Sequence, residues 1–367
     1  MKRVLITGGA GFIAHHLIGQ ILKTTDWEIV SLDRLDYSGN LNRLHDLMLT
    51  FDPDVRKRVR IVHHDLKAEL NPLVRSEVGK VDYILHLAAG SHVDRSIDYP
   101  MEFVLDNVVG TCNILEFART QIDHLERFIY FGTDEVFGPA PDGIKYGEND
   151  RYNSTNPYSA TKAGGEELAV AYENTYGLPV YITHTMNVFG ERQHPEKFIP
   201  MCIRKARDGD AVTIHSDSTK TIPGSRHYIH AEGVSSAVLF LLQHEEIYEP
   251  TWGNAKCPKF NIVGSEELNN LELAQIIAEA QGKELKYDMV DFHSSRPGHD
   301  LRYALDGDKM KQLGWEPAKA VRERIGEVTK WTLDNERWIQ LLGELGLMVP
   351  LISYIQVTCN SLRLLGH

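Results

Sequence analysis

Residues 3–14 read RVLITGGAGFIA, a strand-like run that passes through glycines into a helical pattern. RVLIT (3–7) is an apolar, partly β-branched run of strand length. Gly8, Gly11 and Ala14 follow in a GxxGxxA pattern, after the strand and at the head of a helical segment. Glycines at those places let the backbone turn tightly and approach a pyrophosphate, which then sits on a helix N-terminus. By itself a glycine-rich turn is a weak signal. It gains weight from EIVSLD (28–33), a second strand run. Its last residue, Asp33, stands where an acid contacts the ribose of a bound dinucleotide. A carboxylate there repels a 2′-phosphate, so NAD is expected rather than NADP, with Arg34 next in sequence as a countersign. The bland alternative is a tight turn and a solvent-facing acid.

The rhythm continues outward. VRIVHHD (59–65), VDYILHLAA (81–89), RFIYFGT (127–133) and PVYITHT (179–185) read as further strands, several apolar almost throughout, as strands buried on both faces are. Helical patterns lie between them at 11–23, 41–50, 68–78, 98–120 and 157–176. Such alternation implies right-handed βαβ crossovers and an α/β fold, a Rossmann-type doubly wound parallel sheet. After about residue 190 loops lengthen, and two helices (269–281 and 319–338) stand in irregular sequence. The expected organisation is a nucleotide-binding domain over 1–190, with 226–250 returning to it. A smaller α+β substrate-binding domain follows over 191–225 and 251–340, then a tail of unknown role over 341–367.

Composition narrows the partners. The chain has 367 residues, 42% hydrophobic and 25% charged, which is ordinary for a globular protein. A formal net charge of -12 disfavours nucleic acid and anionic membrane as partners. Four scattered cysteines without CxxC spacing argue against a zinc site or a disulfide framework and suit a reducing cytoplasm. Three glycines in the first fourteen residues favour a strand and turn there over a signal peptide. The run IQLLGELGLMVPLISYIQV (339–357) is interrupted by Glu344 and Pro350, and reads as a docking helix or oligomer contact rather than a membrane span. His15–His16 and His63–His64 have no carboxylates at ligand spacing, so no metal is expected.

Two clusters carry chemistry. YSATK places Tyr158 and Lys162 four apart at a helix start, on one face. An ammonium beside a phenol favours phenolate, and such a tyrosine takes a hydroxyl proton while hydride leaves the same carbon. GTDEVFG (132–138) sets Asp134 beside Glu135 at a strand end. They are either turn formers or an acid/base pair.

TGGAGFIA, LAAGSHVDRSI, DNVVGTCNILE, GTDEVFG, NPYSATKAGGE, HPEKFIP and RPGHDLRYALD together resemble the extended short-chain dehydrogenase/reductase family over residues 1 to about 340. Within it they are most similar to the nucleotide-sugar 4,6-dehydratases, whose substrate is dTDP-glucose or, in some relatives, UDP-glucose. The resemblance implies an NAD-dependent hydro-lyase forming a 4-keto-6-deoxy sugar nucleotide, and a homodimer built on the helices at 98–120 and 157–176. Tyr158 becomes the base at the sugar C4 hydroxyl, Glu135 the base at C5 and Asp134 the acid for loss of the C6 hydroxyl. Thr133 holds the C4 oxygen, and Lys162 the tyrosine and the nicotinamide ribose. Phe12, Ile13, Arg34, Asp36, Asp65, Leu66, Leu87, Ala88, Ala89 and Asn187 are implied at the cofactor, with Asn107 facing them. Ser91, Asn187, Lys197, Arg226, Asn261, Arg296 and His299 are implied at the nucleotide sugar. The chemistry asks that Asp134 be protonated while Glu135 is ionised, so their environments must separate two similar pKa values.

Departures from the family pattern are Gly90, Gly132, MNVFG (186–190) and a longer HSDSTKTIPGSRHY (215–228). They leave the nucleotide and the hexose open. A 4-epimerase or decarboxylase on the same scaffold is the rival within the class, and a non-catalytic NAD-binding sensor the rival outside it. Neither explains why Glu135 stands beside Asp134.

Overall fold

The computed structural model describes residues 1–244, 257–291 and 301–340. The N-terminal half runs β1 (Arg3–Thr7), α1 (Phe12–Thr24), β2 (Glu28–Asp33), α2 (Leu41–Met48), α3 (Pro53–Arg56), β3 (Val59–His63), α4 (Pro72–Val78) and β4 (Tyr83–His86). It continues through α5 (Val93–Asp98), α6 (Pro100–Val104), a π turn at Leu105–Val109, α7 (Gly110–Arg119), β5 (Arg127–Thr133), α8 (Pro157–Tyr176) and β6 (Val180–Thr185). The C-terminal half has β7 (Asn187–Phe189), α9 (Phe198–Asp208), β8 (Val212–Ser216), β9 (Ser225–His230), α10 (Ala231–Gln243) and β10 (Lys259–Ile262). Beyond these lie β11 (Glu267–Asn269), α11 (Asn270–Ala280), β12 (Tyr287–Asp291) and a helix at Val321–Asp334.

Among the described residues, seven strands form one parallel sheet in the order β10-β6-β5-β4-β1-β2-β3. Alternate side chains feed two cores. Ile6, Leu85 and Ile129 pack with Leu17 and Ile18 of α1 and Val234 and Val238 of α10. Leu5, Ile84 and Phe128 pack with Phe117 of α7 and Ala169 of α8. Each such buried aliphatic or aromatic side chain stabilises by roughly 1.5–3 kcal/mol, so both helical layers are bound to the sheet. Strand order reverses between β1 and β4, and a crevice for a ligand opens at the carboxyl ends there.

The smaller unit has a three-stranded sheet β11-β9-β7, a two-stranded sheet β12-β8, and a core of Phe189, Ile203, Leu273, Ile277, Ile325 and Val328. Two domain boundaries need correction. Asn187–Phe189 pairs with β9 in the small sheet, although it lies within 1–190. Lys259–Ile262 pairs with β6 in the large sheet, although it lies within 251–340. Phe260 and Ile262 are fully buried there, covering an edge that β6 otherwise leaves open. Residues 245–256, 292–300 and 341–367 lie outside the described residues, and with them the tail.

Helix ends follow local chemistry. The segment expected as a helix over 68–78 starts only at Pro72, because Asn71 caps it (Val74 N–H to Asn71 Oδ1, 3.0 Å). The helix expected over 98–120 is interrupted by the π turn. Helix α8 opens on a capping box between Asn156 and Ser159 and ends at Gly177, whose φ is +71°. Among the described residues no helix is long and apolar enough to cross a membrane.

Candidate active site

The cleft at the switch point is built on the first loop. Gly8 has φ +67°, and a Cβ on it would lie 2.9 Å from the Ala88 backbone, so β1 and the loop after β4 meet only because this residue has no side chain. Gly11 closes the turn (N–H to Gly8 O, 2.8 Å) and starts α1 without any side-chain cap. The first N–H groups of α1 are thereby left for an anion at the cleft floor. Arg43, buried beneath, holds the loop through Ala10 O and Ser38 O. Asp33 braces it from β2, accepting from Ala10 N (3.0 Å) and Leu35 N (2.7 Å). Gly8, Gly11, Phe12, Ile13, Asp33, Arg34, Asp36, Asp65, Leu66, Leu87, Ala88, Ala89, Ser91 and Asn187 all line this cleft. An uncapped helix end in mid-cleft with a carboxylate at one side fits a dinucleotide, its pyrophosphate on α1 and a ribose by Asp33.

At the other end stand the reactive groups. Tyr158 and Lys162 project from the first turns of α8, and Tyr158 N–H is anchored on Ser96 Oγ (3.1 Å). The Thr133 hydroxyl lies near enough to Tyr158 to favour its phenolate. Thr133 Oγ1 lies 3.2 Å from Asp134 Oδ1, and Asn156, the α8 cap, donates Nδ2–H to Glu135 Oε2 at 3.1 Å. A second cavity, lined by Arg226, Tyr228, His215, Asn270 and Tyr303, meets the first along Ser91, Asp134, Glu135, Asn187 and Lys197. The two acids therefore stand on the wall where the cavities join.

Burial raises both carboxyls, Asp134 to about 6 and Glu135 to about 7. Glu135 is raised further by the Asp134 charge, while Arg226 and the Thr133 hydroxyl favour the Asp134 anion. This order is the reverse of the one expected from the chemistry. The two groups touch the same shell and titrate as a pair, sharing one proton over that interval. Burial and the two carboxyl charges hold Tyr158 well above its ordinary value. Lys162, with Nζ 4.4 Å over the Tyr130 ring, is itself pushed down to about 8 by burial.

Two expected site residues are not at the cleft. Asn261 on β10 is fully buried, its carboxamide holding Tyr146 O, Asp306 O and His184 Nδ1 (each 3.0 Å). Asn107 turns its carboxamide onto Gly90 N and O and Thr161 Oγ1, so it shapes the loop under Ala89 instead of lining the cleft. Arg296 and His299 lie outside the described residues. Residues missed from sequence include Asp106, Lys67, His92, Gln193 and His194. Asp106 had a signal, an acid inside the apolar run FVLDNVVG (103–110). His194 heads the HPEKFIP motif (194–200), whereas Gln193 had no signal, being a loop residue brought in by the chain path after β7.

A family model described as GDP-mannose 4,6 dehydratase matches residues 5–328. The chain is 39% identical over 333 residues to the low-salt glycan biosynthesis protein Agl12 of Haloferax volcanii, covering 91% of this chain and 99% of that one. It is 34% identical over 361 residues to the dTDP-glucose 4,6-dehydratase of Salmonella typhimurium, covering 92% and 94%. Among solved structures, DesIV of Streptomyces venezuelae, a dTDP-glucose 4,6-dehydratase with NAD and TYD bound, superposes with a TM-score of 0.78. It is 33% identical, with 92% of this chain and 98% of that chain covered.

Proposed function

The chain belongs to the extended short-chain dehydrogenase/reductase family of nucleotide-sugar 4,6-dehydratases, and on that premise we propose that it takes dTDP-glucose and forms dTDP-4-keto-6-deoxy-glucose. It is an NAD-dependent hydro-lyase of this type. The observation that carries the reading is the Asp134–Glu135 pair at the junction of the two cavities, beside Tyr158 and Thr133. The choice of dTDP is supported by likeness to the Salmonella typhimurium and Streptomyces venezuelae enzymes.

The residues divide the work as follows. Tyr158 removes the proton of the C4 hydroxyl, whose oxygen Thr133 holds. Bound NAD supplies hydride acceptance at C4 and hydride return at C6, so the net change is loss of water. The C4 ketone acidifies C5–H, and Glu135 takes that proton. Asp134 gives its proton to the departing C6 hydroxyl, which leaves as water. A proton returned to C5 completes the product. The pair shares a single proton that the free site favours on Glu135, so the roles require that proton to pass to Asp134 before elimination, leaving Glu135 as base and Asp134 as acid. Gly8, Gly11, Phe12, Ile13, Asp33, Asp65, Leu66, Leu87, Ala88 and Ala89 hold the cofactor. Ser91, Asn187, Lys197 and Arg226 hold the nucleotide sugar, the two cations meeting its diphosphate.

Incubating the protein with NAD and, separately, dTDP-, UDP-, GDP- and CDP-glucose tests this. The expected result is a product lighter by one water from dTDP-glucose, without accumulation of reduced cofactor. Faster turnover of UDP-glucose refutes the nucleotide choice, and an isobaric product refutes dehydration. A homodimer is part of the same proposal. Ile97, Tyr99, Met101 and Tyr176, on and beside α5, α6 and α8, are exposed apolar side chains of one helical layer. Light scattering is expected to give twice the 41.6 kDa chain mass; the mass of one chain counts against it.

A further inference from the structure

The cofactor cleft carries a charged cluster that the reaction does not use. Arg34 directly follows Asp33 at the end of β2, the place from which an arginine accommodates the 2′-phosphate of a phosphorylated dinucleotide. In this chain its guanidinium is already engaged. Nη1 and Nη2 form a fork on the two carboxylate oxygens of Asp106, Nη2–Oδ2 being 2.9 Å, and Nε donates to Asp36 Oδ2 at 2.8 Å. Lys67, the other cation at this end, lies 3.3 Å from Asp106 Oδ1. Asp65 stands 3.9 Å from Arg34. Counting Asp33, four carboxylates face two cations.

Asp106 reaches this place through backbone geometry. It belongs to the π turn Leu105–Val109, and π bulges inside helices frequently occur at functional sites. Its neighbour Asn107 is tied to both Gly90 N and Gly90 O, which fixes the turn against the loop after β4. The Asp106 side chain is only 9% exposed, so it competes for Arg34 in a poorly screened setting.

We propose that Asp106 is a specificity-determining residue, rejecting 2′-phosphorylated dinucleotides by occupying the two cations that would otherwise bind the phosphate. The inference rests on the NAD reading above and goes beyond it. Asp33 excludes the phosphate by repulsion, whereas Asp106 does so by withholding its partners. The cluster also links β2, the loop after β3 and the π turn across the adenosine end of the cleft, so discrimination is set by three elements together.

Direct binding of NAD and NADP to the full chain, measured by calorimetry without sugar nucleotide, tests this. Wild type is expected to prefer NAD. Asp106→Asn and, as an independent neutral replacement, Asp106→Thr are expected to shift the NADP-to-NAD affinity ratio toward NADP by about tenfold or more, as one freed charge-assisted contact allows. Asp106→Glu is expected to keep the ratio near wild type. Adding Arg34→Met to Asp106→Asn is expected to abolish the gain. A ratio unchanged in whichever neutral variant folds, while NAD still binds, overturns the proposal. A wild type that fails to bind NAD overturns the cofactor reading instead.

Discussion

Glu135→Gln and Asp134→Asn are each expected to slow dehydration by about 10²–10⁴-fold, the usual worth of a positioned general acid or base. The two losses are expected to differ in kind. Without Glu135 no base reaches C5, so substrate recovered from deuterated water carries no label there. Without Asp134 the C5 proton still exchanges while the C6 oxygen stays, so recovered substrate is labelled at C5 but accumulates no dehydrated product. An Asp134→Asn enzyme with more than about a tenth of the wild-type rate would falsify its acid role. Wild-type kcat/KM is expected to peak between about pH 6 and about pH 7. Below that interval a second proton removes the base, and above it the last proton leaves and removes the acid.

Unfolding cannot mimic this result, by the sign of the same pKa shifts. Both carboxyls are raised in the folded chain, so the folded state holds their protons more tightly than the unfolded one. Their contribution to stability is full below the ordinary carboxyl range and is lost as pH rises through about 6 and about 7. Neutral amides escape that loss. The variants are therefore expected to melt no lower than wild type at pH 8, which calorimetry checks.

Glu166→Ala is expected to cost about 3–5 kcal/mol of stability at pH 7, read from the urea midpoint, because it breaks a buried charge set from one side. Glu166 sits on α8 one turn beyond Lys162, with no exposed side-chain surface. His184 Nε2 lies 3.1 Å from its Oε2 and Lys259 Nζ 2.9 Å from its Oε1, and the Tyr152 hydroxyl donates to Oε1. Burial alone would raise its pKa, yet His184, Lys259 and Tyr152 hold it down at about 2. A depressed carboxyl stabilises fully above its unfolded value near 4.5 and loses that stabilisation as pH falls through about 2. The gap between wild type and variant is therefore expected to narrow between pH 4.5 and 2. An unchanged urea midpoint at pH 7 would show that the set contributes nothing net. The same carboxylate supports the charge on Lys162, so the variant is expected to lose activity too.

Much of the scaffold was legible in the residues. Strand runs, the GxxGxxA turn and Asp33 located the cleft, because a parallel sheet buried on both faces demands continuous apolar runs and a tight first turn demands glycine. The helix expected over 157–176 stands as α8 over the same residues, and its ends rest on local chemistry, Asn156 as cap and Pro157 at the first position. The adjacent acids of GTDEVFG were legible as a pair.

The remainder was decided in three dimensions. Lys259–Ile262 joins the large sheet because the β6 edge is open to it, and no local signal states which edge a strand will find. Asn261 turns into the protein because alternation on that strand points it at His184 instead of the cleft. The proton order of Asp134 and Glu135 depends on Arg226, Thr133 and Asn156, which come from separate elements. Arg34 reads as an invitation to a phosphate until Asp106 is brought against it from 72 residues away. Backbone turns and apolar periodicity are short-range, so the scaffold and the identity of the reactive groups could be read from the residues in order. Charge state and availability are sums over neighbours distant in the chain, so they emerge only once the chain has folded.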